Sequence, residues 1–144
     1  MASLSADLQW ELLRKNNCFT IRQRGIKKTF TKEPFNLKGI NSFRYNGLIQ
    51  KKAVNIQPTS DRKAIMFSYK KGRDQRKPSK AVARTVMKKD PRRVMSSVGK
   101  FMKSGHYSPR HAKLAQRRVS RILNSQKQPT LLRARNANKK RSAE

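Results

Sequence analysis

Catalysis needs particular side chains in small groups, and this chain has few of them. Its 144 residues include two histidines, His106 and His111, one cysteine, Cys18, and seven carboxylates. Cys18 with two histidines falls short of a four-ligand zinc site. Neither histidine has a carboxylate or cysteine close by in sequence. Asp90 reads as a helix cap, and Glu33 stands beside Pro34 in a loop. The phosphate-cradling patterns GxxxxGKS/T and GxGxxG are both missing. No enzyme, metal site or cofactor is therefore expected. The abundant chemistry is cationic: 37 lysines and arginines give a formal net charge of +30. Arginine forks onto phosphate and stacks on bases, while lysine acts as a point charge. Phosphate recognition is what these residues can do.

A folded chain with this excess repels itself, and a polyanion relieves the repulsion. Nucleic acid fits best, because each neutralised phosphate releases counterions. A membrane surface would call for a Lys-rich amphipathic helix or a lipid anchor. Ala2 stands where myristoylation needs glycine, and the terminal RSAE has no prenylation cysteine. The single cysteine gives no disulfide within the chain. Neither a signal peptide nor a membrane-length apolar run is visible. These features together predict an intracellular protein with no membrane partner and no homo-oligomer.

The elements that must position the cations are legible in part. Hydrophobic residues make up 35% of the chain, enough for one domain with a small core. In SADLQWELLRKN the leucines recur at helical spacing, with Ser3 or Ser5 as cap and Asp7 and Glu11 at the positive end. CFTIRQRGIKKTFT predicts two short strands around Gly25. KEPFNLKGI is an irregular connection, and Asn46-Gly47 is a turn signal that favours positive φ. GLIQKKAVNIQ and KAIMFSYKK predict strands joined by the PTSD turn at 58–61. The expected fold is α+β: residues 1–70 form a small antiparallel sheet of about three to five strands with the N-terminal helix packed on it. Residues 71–89 read as a basic extended loop, with Ala81–Lys89 showing no clear period.

Asp90-Pro91 and Ser108-Pro109 are paired helix-start signals. Val94, Val98, Phe101 and Met102, then Ala112, Ala115, Val119, Ile122 and Leu123, form apolar stripes. Gly105 suits a left-handed cap between them. Residues 90–126 should thus be a helical hairpin with Arg117, Arg118 and Arg121 facing outward. Residues 127–144 are basic and aperiodic, and should be disordered until bound.

The residues expected to meet RNA are spread over all these segments. They are Arg22, Arg24, Lys27 and Lys28; Arg44, Tyr45 and Asn46; Lys51 and Lys52; Lys70, Lys71, Arg73, Arg76 and Lys77; Arg84, Lys88 and Lys89; Arg92 and Arg93; Arg117, Arg118 and Arg121; and Lys127, Arg133 and Arg135. Phe43, Tyr45, Tyr69 and Tyr107 could stack on unpaired bases, or could be core. A DNA-reading helix-turn-helix would concentrate charge on one helix. Here charge coats nearly every segment, as suits a protein embedded in folded RNA.

Four pieces in order carry a resemblance: LQWELLRKNNCF, NLKGINSFRYNGLI, GRDQRKPSK and AQRRVSRILNSQK. From about Leu8 to Lys127 the chain resembles the eukaryotic large-subunit ribosomal protein L twenty-eight family, which is unrelated to the bacterial protein of the same number. NSFRYNGL is the most specific piece. The resemblance implies an α+β domain of the cytosolic large subunit, without catalysis. Its implied partners are ribosomal RNA and neighbouring ribosomal proteins, with passage through nucleus and nucleolus for assembly. A related nucleolar assembly factor carries several metal- or cluster-suited cysteines, and Cys18 alone departs from that pattern. NSFRYNGLI is expected to act as an RNA clamp: Asn46-Gly47 close to phosphate, Arg44 forked onto it and Tyr45 stacking. An assembly factor, a chromatin protein using the helical hairpin and, with least support, an enzyme acting on RNA are the competing readings.

Overall fold

The computed structural model describes residues 4–61, 64–74 and 77–127. The fold is α+β. Its elements run α1 (Ala6–Leu13), β1 (Thr20–Ile21), β2 (Phe30–Thr31), a 3-10 turn (Phe43–Tyr45), β3 (Val54–Pro58), β4 (Ile65–Lys70), β5 (Val82–Met87), α2 (Pro91–Ser104) and α3 (Pro109–Gln126). Strands β3, β4 and β5 make one antiparallel sheet in that order, and β1 and β2 form a separate small pair.

Alternation builds the sheet. Val54 pairs with Tyr69 and Ile56 with Phe67, so these apolar side chains share one face. α2 and α3 cover that face. Val94, Val98 and Met102 from α2 meet Ala115 and Val119 from α3 over Val54, Ile56, Ile65 and Phe67, all buried. Burying a side chain of the size of Ile56 or Phe67 contributes roughly 1.5–3 kcal/mol. At one end the core continues as rings: Phe101 lies 5.0 Å from Phe67 edge-on and 4.7 Å from Tyr69, and 6.3 Å from Tyr107. Tyr69 and Tyr107, possible base-stackers by sequence, are thus packed in this cluster. Burial pushes the Tyr107 hydroxyl above its usual pKa, and nearby Tyr69 adds to the shift.

Both helices start where expected, although the Ser108 side chain makes no capping hydrogen bond. The Asp90 side chain accepts from the Arg92 N–H at 3.2 Å, and Pro91 and Pro109 open their helices. The turn between them differs from expectation. Gly105 has φ −78°, and the left-handed residue is His106 at φ +52°. Glycine is needed at 105 for space: a Cβ there would sit 2.7 Å from the Tyr107 ring.

Two further expectations are corrected. Residues 82–87, within the stretch read as a loop, form β5 on the sheet edge. Its signal was weak because apolar Val82 and Val86 lie on the open face, where Val86 is exposed, and polar Thr85 on the covered one, against the usual alternation. Helix α1 buries none of its residues. The covered sheet face is taken by α2 and α3, so α1 is held at the side: Trp10 packs 6.0 Å from Phe43, and the Asn41 side chain donates to the Arg14 carbonyl at 2.7 Å.

Phe67→Ala should therefore destabilise by about 3–5 kcal/mol, while Val86→Ala on the open face should cost about 0.5 kcal/mol or less. Urea unfolding of both variants checks this, and equal costs would contradict the assignment of faces.

Candidate nucleic-acid interface

The segment from Glu33 to Gln50 carries the most specific sequence motif, and it is organised around one carboxylate. Glu33 is 4% exposed and Asn46 1%. Glu33 Oε1 accepts from Asn36 Nδ2 at 2.7 Å and from the Gly47 N–H at 3.1 Å, while Oε2 accepts from Asn46 Nδ2 at 3.0 Å. Asn46 Oδ1 accepts from the N–H groups of Leu48 and Ile49, both at 2.9 Å. Asn36 closes the preceding loop, accepting from Lys38 and Gly39 and donating to the Ile40 carbonyl. Every polar atom of the Asn46 side chain thus has a partner inside the protein.

That geometry corrects the expected task of Asn46-Gly47. Asn46 has φ −63°, so the pair does not form the positive-φ hairpin turn. Asn46 holds the turn from within and cannot offer its side chain to RNA. Gly47 is required by close approach instead: a Cβ there would overlap the Pro34 carbonyl oxygen and sit 2.7 Å from the Phe35 carbonyl carbon. The network presents Arg44, which is exposed, at the apex of the 3-10 turn. Tyr45 is half-buried. Its ring lies 5.2 Å from that of His111, with Lys38 Nζ 4.9 Å over its face. Burial pushes the His111 pKa down, a hydrogen bond to the Arg44 backbone opposes this, and the Arg44 charge adds to the lowering.

Some candidate cations are fixed internally. Arg118 Nε donates to the Ile56 carbonyl at 2.9 Å and Nη1 to that of Leu37 at 3.4 Å. It therefore ties α3 to the sheet rather than facing outward with its neighbours, and burial lowers its pKa. Lys70 Nζ donates to the carbonyls of Leu48 and Gln50 at 3.3 and 3.4 Å and lies 5.6 Å over the Phe35 ring. Burial lowers its pKa too, with Glu33 pulling the other way. Lys52 Nζ donates to the Gly105 carbonyl at 3.3 Å while remaining exposed.

The other described candidates are exposed on several sides of the molecule. Arg22, Arg24, Lys27 and Lys28 surround the β1–β2 connection. Lys71, Arg73 and Lys77 follow β4, and Arg84 lies on the open sheet face. Lys88, Lys89, Arg92 and Arg93 lead into α2, and Lys51 is also exposed. Arg117 and Arg121 continue an exposed stripe of α3 begun by Arg110 and Lys113, which the sequence reading did not single out, at steps of three and four. Arg92 and Lys127 line one cleft where the start of α2 meets the end of α3. Arg76, Arg133 and Arg135, and the tail from 128, lie outside the described residues. Among the described residues the only ion pair shorter than 4.0 Å is Arg14–Glu11 at 3.2 Å. No group of three potential metal ligands occurs among them, and no helix is long and apolar enough to cross a membrane.

Sequence reasoning missed Glu33. The signal was its isolation: no other carboxylate lies between Glu11 and Asp61. Glu33→Ala strands several buried donors and should destabilise by about 3 kcal/mol, while Asp7→Ala on exposed α1 should change little. Equal urea midpoints for the two variants would remove Glu33 from this role. For His111 the sign follows from a folded-state pKa below the usual 6.5. The unfolded chain binds the proton more readily, so stability is full above about pH 6.5 and is lost as pH falls toward the folded-state value. Urea midpoints at pH 7.5 and 5.5 should show this loss, and His111→Gln should shrink it.

Comparison with known proteins gives the family. The chain is 37% identical over 123 residues to "Large ribosomal subunit protein eL28" of Caenorhabditis elegans, covering 85% of this chain and 91% of that one. It is 32% identical over 130 residues to the protein of the same name from Schizosaccharomyces pombe, covering 87% and 95%. Residues 8–125 match the Ribosomal L28e protein family, a family of ribosomal proteins and not of enzymes. The chain therefore belongs to the Ribosomal L28e protein family.

Proposed function

We propose that this chain is a structural constituent of the cytosolic large ribosomal subunit, where it binds and stabilises ribosomal RNA. The observation that carries the reading is the distribution of charge. Exposed lysines and arginines occur on the β1–β2 connection, the 3-10 turn, the open sheet face and both long helices. Among the described residues carboxylates neutralise almost none of them. A single flat binding face would leave most of that repulsion in place, whereas RNA on several sides offsets it. The helix ends point the same way. The first turn of α3 carries Arg110 and no acidic residue, and its Ser108 cap makes no side-chain hydrogen bond, so a cation sits at the uncapped positive end of the dipole. Phosphates at that end would reverse the penalty.

The mechanism is neutralisation and pinning. Arg44 forks onto phosphate from a turn fixed by Glu33, and the α3 stripe contacts a second backbone segment. Over 18 residues α3 is about 27 Å long. Ribosomal RNA and adjoining ribosomal proteins are the partners. The protein works on cytoplasmic ribosomes after passing through the nucleus and nucleolus for assembly. The chromatin reading loses support at the start of α3, where a DNA reader would contact bases: His111 packs on Tyr45 and Ala112 packs on the core.

Adjacent arginines provide the test. Arg117 is exposed and Arg118 is tied to the Ile56 and Leu37 carbonyls. For binding to a large-subunit RNA fragment, replacing both Arg117 and Arg121 by Ala should flatten the log–log salt slope by about 1.4–1.8, at roughly 0.7–0.9 per phosphate contact. Arg118→Ala should lower the urea midpoint and leave the slope nearly unchanged. Slopes unaffected by the double substitution would contradict phosphate contacts along α3.

A further inference from the structure

A groove of about 790 Å³ opens between α1 and the segment following the 3-10 turn. That volume lies within the range of small-ligand clefts, roughly 300–1,000 Å³. Its apolar surface includes Leu4 and Leu48, 58% and 39% exposed, together with Ile49. Lys52, Lys70 and Lys71 stand along it, and no carboxylate is among the described residues that line it. We propose that this groove seats an unstacked nucleotide of single-stranded RNA, with the base on the leucine surface and its phosphate on the lysines. This rests on the RNA-binding reading and names the form of RNA that one site takes.

Two features favour a nucleotide over a peptide. The first is the fixed charge. Lys70 is held by the Leu48 and Gln50 carbonyls and has no carboxylate within ion-pair distance among the described residues. A preorganised cation beside apolar surface suits a phosphate at a set distance from a flat apolar group. The second is the pair of amides. Gln9 donates through Nε2 to the Leu4 carbonyl at 2.9 Å, and Gln50 does the same to the Phe43 carbonyl at 2.9 Å. Each amide is thereby oriented with its side-chain oxygen left to accept, and both residues line the groove. Base edges in unpaired RNA offer amino and imino donors that a duplex hides.

The Glu33 network is what makes the site. Leu48 and Ile49 are placed by their N–H groups on Asn46 Oδ1, and Asn46 is placed by Glu33. The same node therefore sets Arg44 on one side of the turn and the apolar part of the groove on the other.

Methyl NMR on the full chain tests the assignment with four probes: adenosine 5′-monophosphate, single-stranded oligoadenylate, an RNA duplex of equal length and inorganic phosphate. The mononucleotide and the single strand should shift the Leu4, Leu48 and Ile49 methyls, and phosphate and the duplex should not. Leu48→Asn, which changes no charge, should weaken single-strand binding about tenfold, the size of one stacked base, with duplex affinity nearly unchanged. Silent methyls while RNA binds elsewhere would overturn this site and spare the functional reading. Absence of binding to any RNA would overturn both. Methyl shifts produced by polyglutamate and not by nucleotides would assign the groove to a peptide and overturn the proposal.

Discussion

The buried carboxylate of Glu33 is the contact on which the turn that follows the 3-10 segment depends. It gathers Asn36, Asn46 and the Gly47 N–H into one node, and Asn46 passes the constraint to Leu48 and Ile49. Lys70 and Arg118 tie other parts of segment 33–50 from outside, through the Leu48, Gln50 and Leu37 carbonyls, but only this node holds residues 46 and 47 and, through Asn46, the N–H groups of 48 and 49. A buried charge is tolerated only when hydrogen bonds satisfy it, and here three donors converge on two oxygens. In a chain this basic, the scarce carboxylate is placed inside, where it orders a loop, rather than outside, where it would offset surface charge.

The hydrophobic core does a different job. It joins the three-stranded sheet to the α2–α3 pair through a compact set of side chains and an aromatic extension at Phe101. The core supports long, highly charged helices with modest apolar area because each helix commits only one stripe to it. Arg118 then fastens α3 to the sheet through carbonyls, so one cation of the run is structural while Arg117 and Arg121 remain at the surface. For the proposed RNA contacts this rigidity is an advantage, since a preorganised cation loses less entropy when it meets phosphate.

Elements with strong local grammar were legible in the sequence. Asp90-Pro91 and Ser108-Pro109 mark real helix starts, and the alternation at Val54–Ile56 and Ile65–Phe67 marks real strands with a buried face. Features that depend on distant partners were not. β5 looks aperiodic because it carries Val82 and Val86 on the open face and Thr85 on the covered one, against the alternation of its neighbours. Arg117 and Arg118 look alike until α3 is laid on the sheet. Asn46-Gly47 reads as a hairpin turn, yet its purpose is to donate to Glu33 in an earlier loop and to pass beneath the Pro34 carbonyl. The leucines of α1 have core spacing, but the face they would occupy belongs to the hairpin. In each case the missing information was a tertiary contact between segments far apart in sequence.

The central claim is that this chain is a permanent part of the large ribosomal subunit, held by RNA on several sides. Sedimentation of the tagged protein from a cell lysate on a sucrose gradient, repeated after a high-salt wash, tests it directly. The account predicts that the protein travels with free large subunits, whole ribosomes and polysomes, and stays with them through the wash. Recovery only with nuclear precursors of the subunit, with chromatin, or at the top of the gradient would contradict it.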